Sequence, residues 1–398
     1  MFENIEEYAG DSILSLMEAY KSDPRTEKVN LSIGLYYNAD GIIPQLGSVA
    51  KARVAYFEEE KGPSLYLPMD GMATYCREIQ KLLFGEDSIA FKDKRVATIQ
   101  SLGGSGALRV GADFLFRWFP QSKVYVSNPT WENHKSIFRG AGFDVGEYPY
   151  FDEVTRGVDF PAIIDFMNRL NKWDIVLLHP CCHNPTGADL TNAQWDELIA
   201  VLKERELVPF LDMAYQGLGD GLNEDRYAIR AMADSGLVFF VSNSFSKIFS
   251  LYGERVGGLS VVCEDAKTAR TVQGQLKATV RRNYSSPPSF GGHLISRVLS
   301  SETLSKQWFS EVEEMRTRII SMRQKLVRQI VDLGGDPSRY QYLLNQRGMF
   351  SYTGYTPEQA HKLREHSAIY IIDTGRICLA GLNDQNLPKV AQAMYDLG

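Results

Sequence analysis

Two histidines and two cysteines crowd into residues 178–187, which read LHPCCHNPTG. Such a cluster could bind a metal, form a redox pair or simply turn the chain. Structural zinc sites draw their ligands from two separated pairs. The other histidines, His134, His293, His361 and His366, supply no second pair at suitable spacing. Cys181 and Cys182 are adjacent, and a bridge between neighbours is badly strained. The expectation is no metal site.

A second set of residues promises more. Lys247 lies in SNSFSKIFSLYGERVGG, flanked by Ser244 and Ser246 and followed by Arg255. Two hydroxyls and a guanidinium around one lysine could hold a phosphate. The apolar run LVFFVS before Lys247 argues against a solvated surface lysine. At a buried rim an ammonium loses its proton more readily and can act as nucleophile or base. Asp212 ends another apolar run, LVPFLD. A carboxylate there is costly unless it meets a cation or strong donor, although capping of a following helix would also account for it. GGSGALR offers backbone N–H groups at a helix start, an anion cradle. A tight turn explains its glycines equally well.

These residues need a scaffold that gathers them. RVATIQS (95–101), KVYVSNP (123–129), DIVLLHP (174–180), LVPFLD (207–212) and LVFFVSNSF (237–245) read as buried strands separated by helical patterns. That alternation predicts parallel β-α units. Pro209 should sit near the start of its strand, and Thr191 with Gln194 has the spacing of a capping box. Ligands of parallel α/β sheets bind beyond the carboxyl ends of the strands. Gly103–Gly106, Trp131, Asn184, Asp212 with Tyr215, and Ser244 with Lys247 should therefore share one rim.

The chain ends differ in texture. Residues 311–331 predict one long amphipathic helix. After it come MFSYTGY, the helix PEQAHKLREHS, a strand pair IYIID and RICLAGL, and a final helix. The expected fold class is α/β, with a mostly parallel sheet flanked by helices in a large domain, 46–310. Residues 13–45 and 311–398 would form a smaller α+β domain from both ends.

Composition bounds the function. The 398 residues carry a formal net charge of −6, and 44 % are hydrophobic. An acidic balance argues against bulk binding of nucleic acid or anionic membrane. The first residues, MFENIEEYAG, lack the positive region of a signal peptide, and no apolar run nears the ~20 residues of a membrane helix. Five cysteines without a C-x-x-C read as reduced thiols in the cytoplasm.

The whole set resembles the class I pyridoxal-phosphate aminotransferases of the aspartate/aromatic type, over nearly the full chain. The matching stretches are VNLSIGLYYNADG, YLPMDG, GGSGALR, SNPTWENH, LLHPCCHNPTG, FLDMAYQG, SNSFSKIFSLYGERVGG, NYSSPP and GRICLAGL. The resemblance implies a fold-type I enzyme with a seven-stranded sheet and pyridoxal 5′-phosphate as cofactor. Lys247 would form the Schiff base and then shuttle a proton, in a ping-pong reaction. Asp212 would pair with the pyridinium nitrogen, with His134 supporting it. Tyr215 and Asn184 would hydrogen-bond the ring oxygen, and Trp131 would stack on the ring. Gly104, Ser105, Ser244 and Arg255 would hold the phosphate, with Tyr66 from the partner subunit. His179 and His183 become supporting residues, and HNPTG becomes the turn that aims Asn184. Residues 1–12 resemble an arm that docks on the neighbour, which implies a homodimer.

The resemblance also bears on substrate. Arg376 would clamp the α-carboxylate, a bidentate geometry that guanidinium provides, alongside Gly34, Trp131 and Asn184. Arg281, from the partner subunit, resembles the arginine that meets the distal carboxylate of aspartate, glutamate and 2-oxoglutarate. Leu35, Tyr37, Ile43, Leu65, Ser105 and Ser286 are all of the aromatic type. Apolar lining from Leu35, Ile43 and Leu65 favours a phenyl or indole ring. The expected activity is aromatic-amino-acid transamination with 2-oxoglutarate, with aspartate also accepted; a narrow aspartate aminotransferase is the alternative.

Overall fold

The computed structural model describes residues 2–5, 7, 10 and 12–398. Short runs of Val, Ile, Leu and Phe, bounded by turn residues, lie side by side in one seven-stranded sheet. Its strands are Val96–Leu102 (β1), Val124–Asn128 (β2), Val145–Pro149 (β3), Ile175–Leu178 (β4), Val208–Met213 (β5), Phe239–Ser244 (β6) and Val256–Val262 (β7). The spatial order is β1-β7-β6-β5-β4-β2-β3. All neighbours pair parallel except β7, which runs antiparallel to both β1 and β6. Pro209 is the second residue of β5, as a missing N–H requires.

Helices connect the strands and cover the sheet. Gly103–Trp118 (α1) starts directly after β1 and packs on it through Ala107, Leu108, Ala112 and Leu115. Asn133–Ala141 (α2) stops at Gly142, a left-handed residue whose N–H returns to Arg139 O. Asn192–Glu204 (α3) opens with the complete Thr191–Gln194 capping box, a feature that contributes about 1 kcal/mol. Ala266–Asn283 (α4) is capped by Asp265, which accepts from Thr268 N–H at 2.7 Å. The core is a continuous cluster of side chains from these helices and strands, including Phe138, Phe210 and Leu259.

The chain forms two compact units: residues 44–317 with 346–348, and residues 1–43, 318–345 and 349–398. These units divide at 43/44 and 317/318, beside the expected 45/46 and 310/311, and residues 346–348 join the sheet-bearing unit. Five residues of the expected arm, Met1, Glu6, Tyr8, Ala9 and Asp11, lie outside the described residues. The long helix runs Glu302–Asp332 (α5), beginning well before residue 311. Its added first turns bury Trp308, whose Nε1–H donates to Ile248 O at 2.8 Å.

The second unit has its own core, built from Leu31, Leu326, Leu343, Ile377, Leu387 and their neighbours. One correction concerns its strands. IYIID and RICLAGL do not pair with each other. Ile369–Tyr370 pairs parallel with Val29–Asn30, and Arg376–Cys378 pairs antiparallel with Phe350–Tyr352. The turn closed by Gly375 N–H on Ile372 O separates the two segments, and each finds a different edge.

Candidate active site

Strand direction decides what reaches the rim of the sheet. β1, β2, β4, β5 and β6 are mutually parallel in sense, so the residues after their carboxyl ends emerge on one edge. β7 runs the other way, so its amino end arrives at that same edge. Val256 pairs with Leu102 and Gly257 with Ser244, which places Arg255 beside Gly103 and Ser244.

Gly103, Gly104 and Ser105 open α1, and no side chain caps their amides. Gly103 has φ +67, and a β-carbon there would lie 2.6 Å from Arg255 Nη2. Glycine is what lets the guanidinium approach the helix start. Arg255 Nη1 donates to Ser246 Oγ at 3.4 Å and to Tyr252 O at 3.1 Å, while Ser244 Oγ donates to Ser246 Oγ at 3.2 Å. Helix N-terminus, hydroxyls and guanidinium form a donor set for a phosphate.

Asp212 is buried at the end of β5. Its Oδ1 accepts from Ser242 Oγ–H at 2.7 Å, and its Oδ2 lies 3.0 Å from His134 Nε2. Thr130 Oγ1, 2.8 Å from His134 Nδ1, completes the relay and leaves Nε2–H to face the carboxylate. Burial pushes the Asp212 carboxyl up, but the His134 and Ser242 contacts and the neighbouring imidazoles outweigh it and hold it at about 2. The site thus keeps an anion in a dry place, ready for a cationic nitrogen.

Lys247 Nζ lies 4.8 Å from the centroid of the Tyr215 ring, and Asn184 Nδ2 lies 3.5 Å from Tyr215 Oη. Trp131 sits edge-on to His134, ring centroids 5.1 Å apart. Lysine, phenol and amide together offer an amine for an aldehyde and two donors for an anionic oxygen. With the phosphate cradle and Asp212, this donor set fits pyridoxal phosphate in each polar group it would present.

His179 and His183 are buried in a row with His134, at centroid distances of 5.2 and 4.4 Å. Burial, with the nearby His134, pushes His179 down to about 3, and burial lowers His183 well below its usual range. Two triads among the described residues have donor atoms within 4.8 Å of one another: His134, His179 and Asp212; and Cys181, Cys182 and Asp225. The first has its Asp212 oxygens already engaged by Ser242 and His134. In the second, Asp225 accepts from the amides of Gly217, Gly219 and Asp220, and the Cys182 contact and burial keep the Cys181 thiol protonated.

The other unit carries Arg376, which is 5 % exposed. Its Nη2 donates to Ser32 O at 2.6 Å, and the guanidinium lies 4.3 Å from the Phe350 ring centroid. A β-carbon on Gly34 would lie 2.8 Å from Phe350 Cζ, so ring and glycine backbone pack in contact. Leu35, Tyr37 and Ile43 belong to this unit, and Leu65, Ser105 and Ser286 to the sheet-bearing one. Two residues stand apart from every cluster described. Tyr66 is 96 % exposed, and Arg281 is exposed on the last turn of α4, donating to Ser285 Oγ.

Sequence reasoning missed Ser242, Thr130 and Phe350. The pairing of Asp212 with Ser242 in the β5–β6 register is the signal for the first. Thr130 stands one turn before His134, and Phe350 lies on the strand that pairs with that of Arg376; both depend on contacts that spacing alone does not reveal.

A lysine at the rim of the sheet, an ionised carboxylate and an anion cradle make up a candidate site for an aldehyde cofactor with a phosphate group. The chain belongs to the aminotransferase class I and II family, whose model matches residues 26–394. It is 61 % identical over 393 residues to the aromatic-amino-acid aminotransferase of Escherichia coli K12, covering 99 % of each chain. A solved aromatic-amino-acid aminotransferase of Burkholderia pseudomallei, covalently bound to pyridoxal phosphate, is 48 % identical with a TM-score of 0.97, covering 100 % of this chain and 99 % of that one. The aromatic amino acid aminotransferase of Psychrobacter sp. B6, cocrystallised with aspartic acid, is 52 % identical with a TM-score of 0.96, at the same coverage. No helix among the described residues is long and apolar enough to cross a membrane.

Proposed function

We propose that the chain is an aromatic-amino-acid aminotransferase that uses pyridoxal 5′-phosphate, passes the amino group of tyrosine, phenylalanine or tryptophan to 2-oxoglutarate, and also accepts aspartate. The observation that carries this reading is the buried, ionised Asp212 on the strand beside the one that delivers Lys247. When bound, the cofactor supplies an electron sink for the pair released from the substrate Cα–H bond. Asp212 accepts a hydrogen bond from a protonated ring nitrogen and keeps that proton in place. Tyr215 and Asn184 donate to the ring oxygen. Lys247 Nζ takes the proton from the substrate α-carbon and carries it. Gly104, Ser105, Ser244 and Arg255 would hold the phosphate, and Trp131 would stack on the ring.

Arg376, braced over Phe350, holds the α-carboxylate beside Gly34. The aromatic preference draws on Leu35, Tyr37, Ile43, Leu65, Ser105 and Ser286. Ile43 and Leu65 are 39 % and 76 % exposed, so core packing does not account for them. The likeness to aromatic aminotransferases, one crystallised with aspartic acid, supports dual specificity.

A homodimer completes the reading. Ile42, Val54, Phe57, Leu65 and Tyr66 leave large apolar groups in water, which a second copy would cover. The partner's Tyr66 and the partner's Arg281 then reach the phosphate and the distal carboxylate. The five free cysteines accord with a reducing, cytoplasmic setting. The test is the ratio of kcat/KM for phenylalanine to that for aspartate, with 2-oxoglutarate as acceptor. A ratio near or above one supports the reading; a ratio on the order of 10⁻² or less makes the chain a narrow aspartate aminotransferase.

A further inference from the structure

Asp189 plays no part in the reaction as described, yet it is tied to the turn that presents Asn184. Its Oδ2 accepts from Cys182 N–H at 2.7 Å and its Oδ1 from His183 N–H at 2.8 Å. In its ionised form this one carboxyl grips two successive amides; burial pushes it up to about 7, while those two amides and the nearby Arg347 favour the charged form. The turn needs such a hold, because Cys182 has φ +51, a left-handed conformation that a β-carbon makes costly. His183 adds a second anchor. Its ring lies 2.8 Å from both Ser127 Oγ and Thr186 Oγ1, and it stacks on Tyr150 with centroids 4.0 Å apart. Asn184 follows immediately, with Nδ2 3.5 Å from Tyr215 Oη.

An asparagine at 189 could not reproduce the grip. Its one oxygen would accept from one amide, and its NH₂ would point a donor at the other. A backbone N–H would then be left without an acceptor one residue from, or within, the segment leading to Asn184.

We propose that Asp189 is a positioning residue for Asn184: its two-pronged hold on the Cys182 and His183 amides sets the approach of Asn184 Nδ2 to the cofactor ring oxygen. The inference rests on the pyridoxal-phosphate reading above. Asp189 touches neither substrate nor cofactor and acts through the turn alone. Loosening the turn weakens the donor to the ring oxygen, so the negative charge there is less favoured and the pH at which the bound cofactor loses its proton rises.

The experiment is a pH titration of the visible absorption band of the purified holoenzyme, comparing wild type with D189N, N184A and the D189N/N184A double variant. D189N should raise the midpoint by about half a unit to one unit, in the direction of N184A. The double variant should titrate with N184A alone, because both changes act on one contact. Asp189→Glu keeps both acceptor oxygens on a longer arm and should give a smaller shift of the same sign; it carries the test if D189N fails to fold. A midpoint equal to wild type in a folded Asp189 variant, whatever its melting temperature, overturns the proposal, as does a double variant whose shifts add. A wild-type protein with no pH-dependent visible band overturns instead the cofactor reading beneath it.

Discussion

Ser242 lies directly across from Asp212 in the register of two neighbouring parallel strands, and its hydroxyl donates to Asp212 Oδ1 at 2.7 Å. A serine in the middle of a fully buried strand would otherwise be a desolvated polar group. Here it is half of the pair that keeps a carboxylate charged. The other half is His134 on α2, oriented by Thr130.

Removing the hydroxyl isolates its share. Ser242→Ala should lower kcat/KM for tyrosine about tenfold, the low end of what one hydrogen bond to a charged group contributes. Asp212→Asn, which removes the charge itself, should cost on the order of 10²-fold or more. Steady-state kinetics on both variants checks the ranking; equal losses would mean that charge is not what Asp212 supplies.

The buried imidazoles weigh against stability on the acid side. His179 stays neutral in the folded chain down to about pH 3 and His183 is lowered further than its usual range, whereas both protonate near 6.5 when unfolded. Through these two groups the unfolded chain binds more protons below pH 6.5, so their contribution to stability falls as pH falls. Each group should cost about 1 kcal/mol between pH 6.5 and 5.5. The buried Asp189 carboxyl, pushed up to about 7, works in the opposite sense, so the check is the difference: from pH 8 to 5 the calorimetric Tm should fall further in wild type than in His179→Asn.

The role proposed for Arg281 predicts a split between substrates. Arg281→Leu should lower kcat/KM for aspartate and 2-oxoglutarate about 10²-fold, the loss of a desolvated ion pair. Tyrosine and phenylalanine should stay within a few-fold of wild type. Half-reaction rates with each substrate test this, and an equal loss for tyrosine would rule out an arginine that swings aside for aromatic rings.

Gly103 should be intolerant of a single methyl. Alanine there meets Arg255 Nη2 and must hold a positive φ. Gly103→Ala should raise the dissociation constant for pyridoxal phosphate about tenfold, read by ultrafiltration or fluorescence. An unchanged constant would remove Arg255 and the α1 start from the phosphate cradle.

Much of this architecture was legible in the chain because buried parallel strands are continuous apolar runs with turn residues at each end. VATIQSL, VYVSN and VPFLDM announced themselves that way. Two sheet strands did not. Val145–Pro149 is an edge strand with only Val145 and Tyr148 buried and a proline at its end, and Val256–Val262 opens on Val-Gly-Gly, which reads as a loop. The reversal of β7 is what brings Arg255 to the rim, and nothing in local composition signals strand direction. The candidate site divides similarly. Lys247, Asp212 and Asn184 follow apolar runs and stand out as polar residues at strand ends. Ser242 meets Asp212, and Phe350 meets Arg376 within the other unit, only through pairing register, and Asp189 meets the Asn184 turn only through hydrogen bonds that the tertiary fold creates. The pairing of IYIID with RICLAGL was misread because two adjacent strands suggest a hairpin, whereas each has a better partner elsewhere.

The most direct measurement is the absorbance spectrum of the purified protein with pyridoxal phosphate, before and after L-tyrosine is added without a 2-oxo acid. A yellow protein that loses its visible band as the aromatic 2-oxo acid is released, with the band restored by 2-oxoglutarate, is the predicted result. A protein that stays colourless with pyridoxal phosphate, or a yellow one whose band ignores tyrosine, would contradict the role given to Lys247 and the transamination built on it.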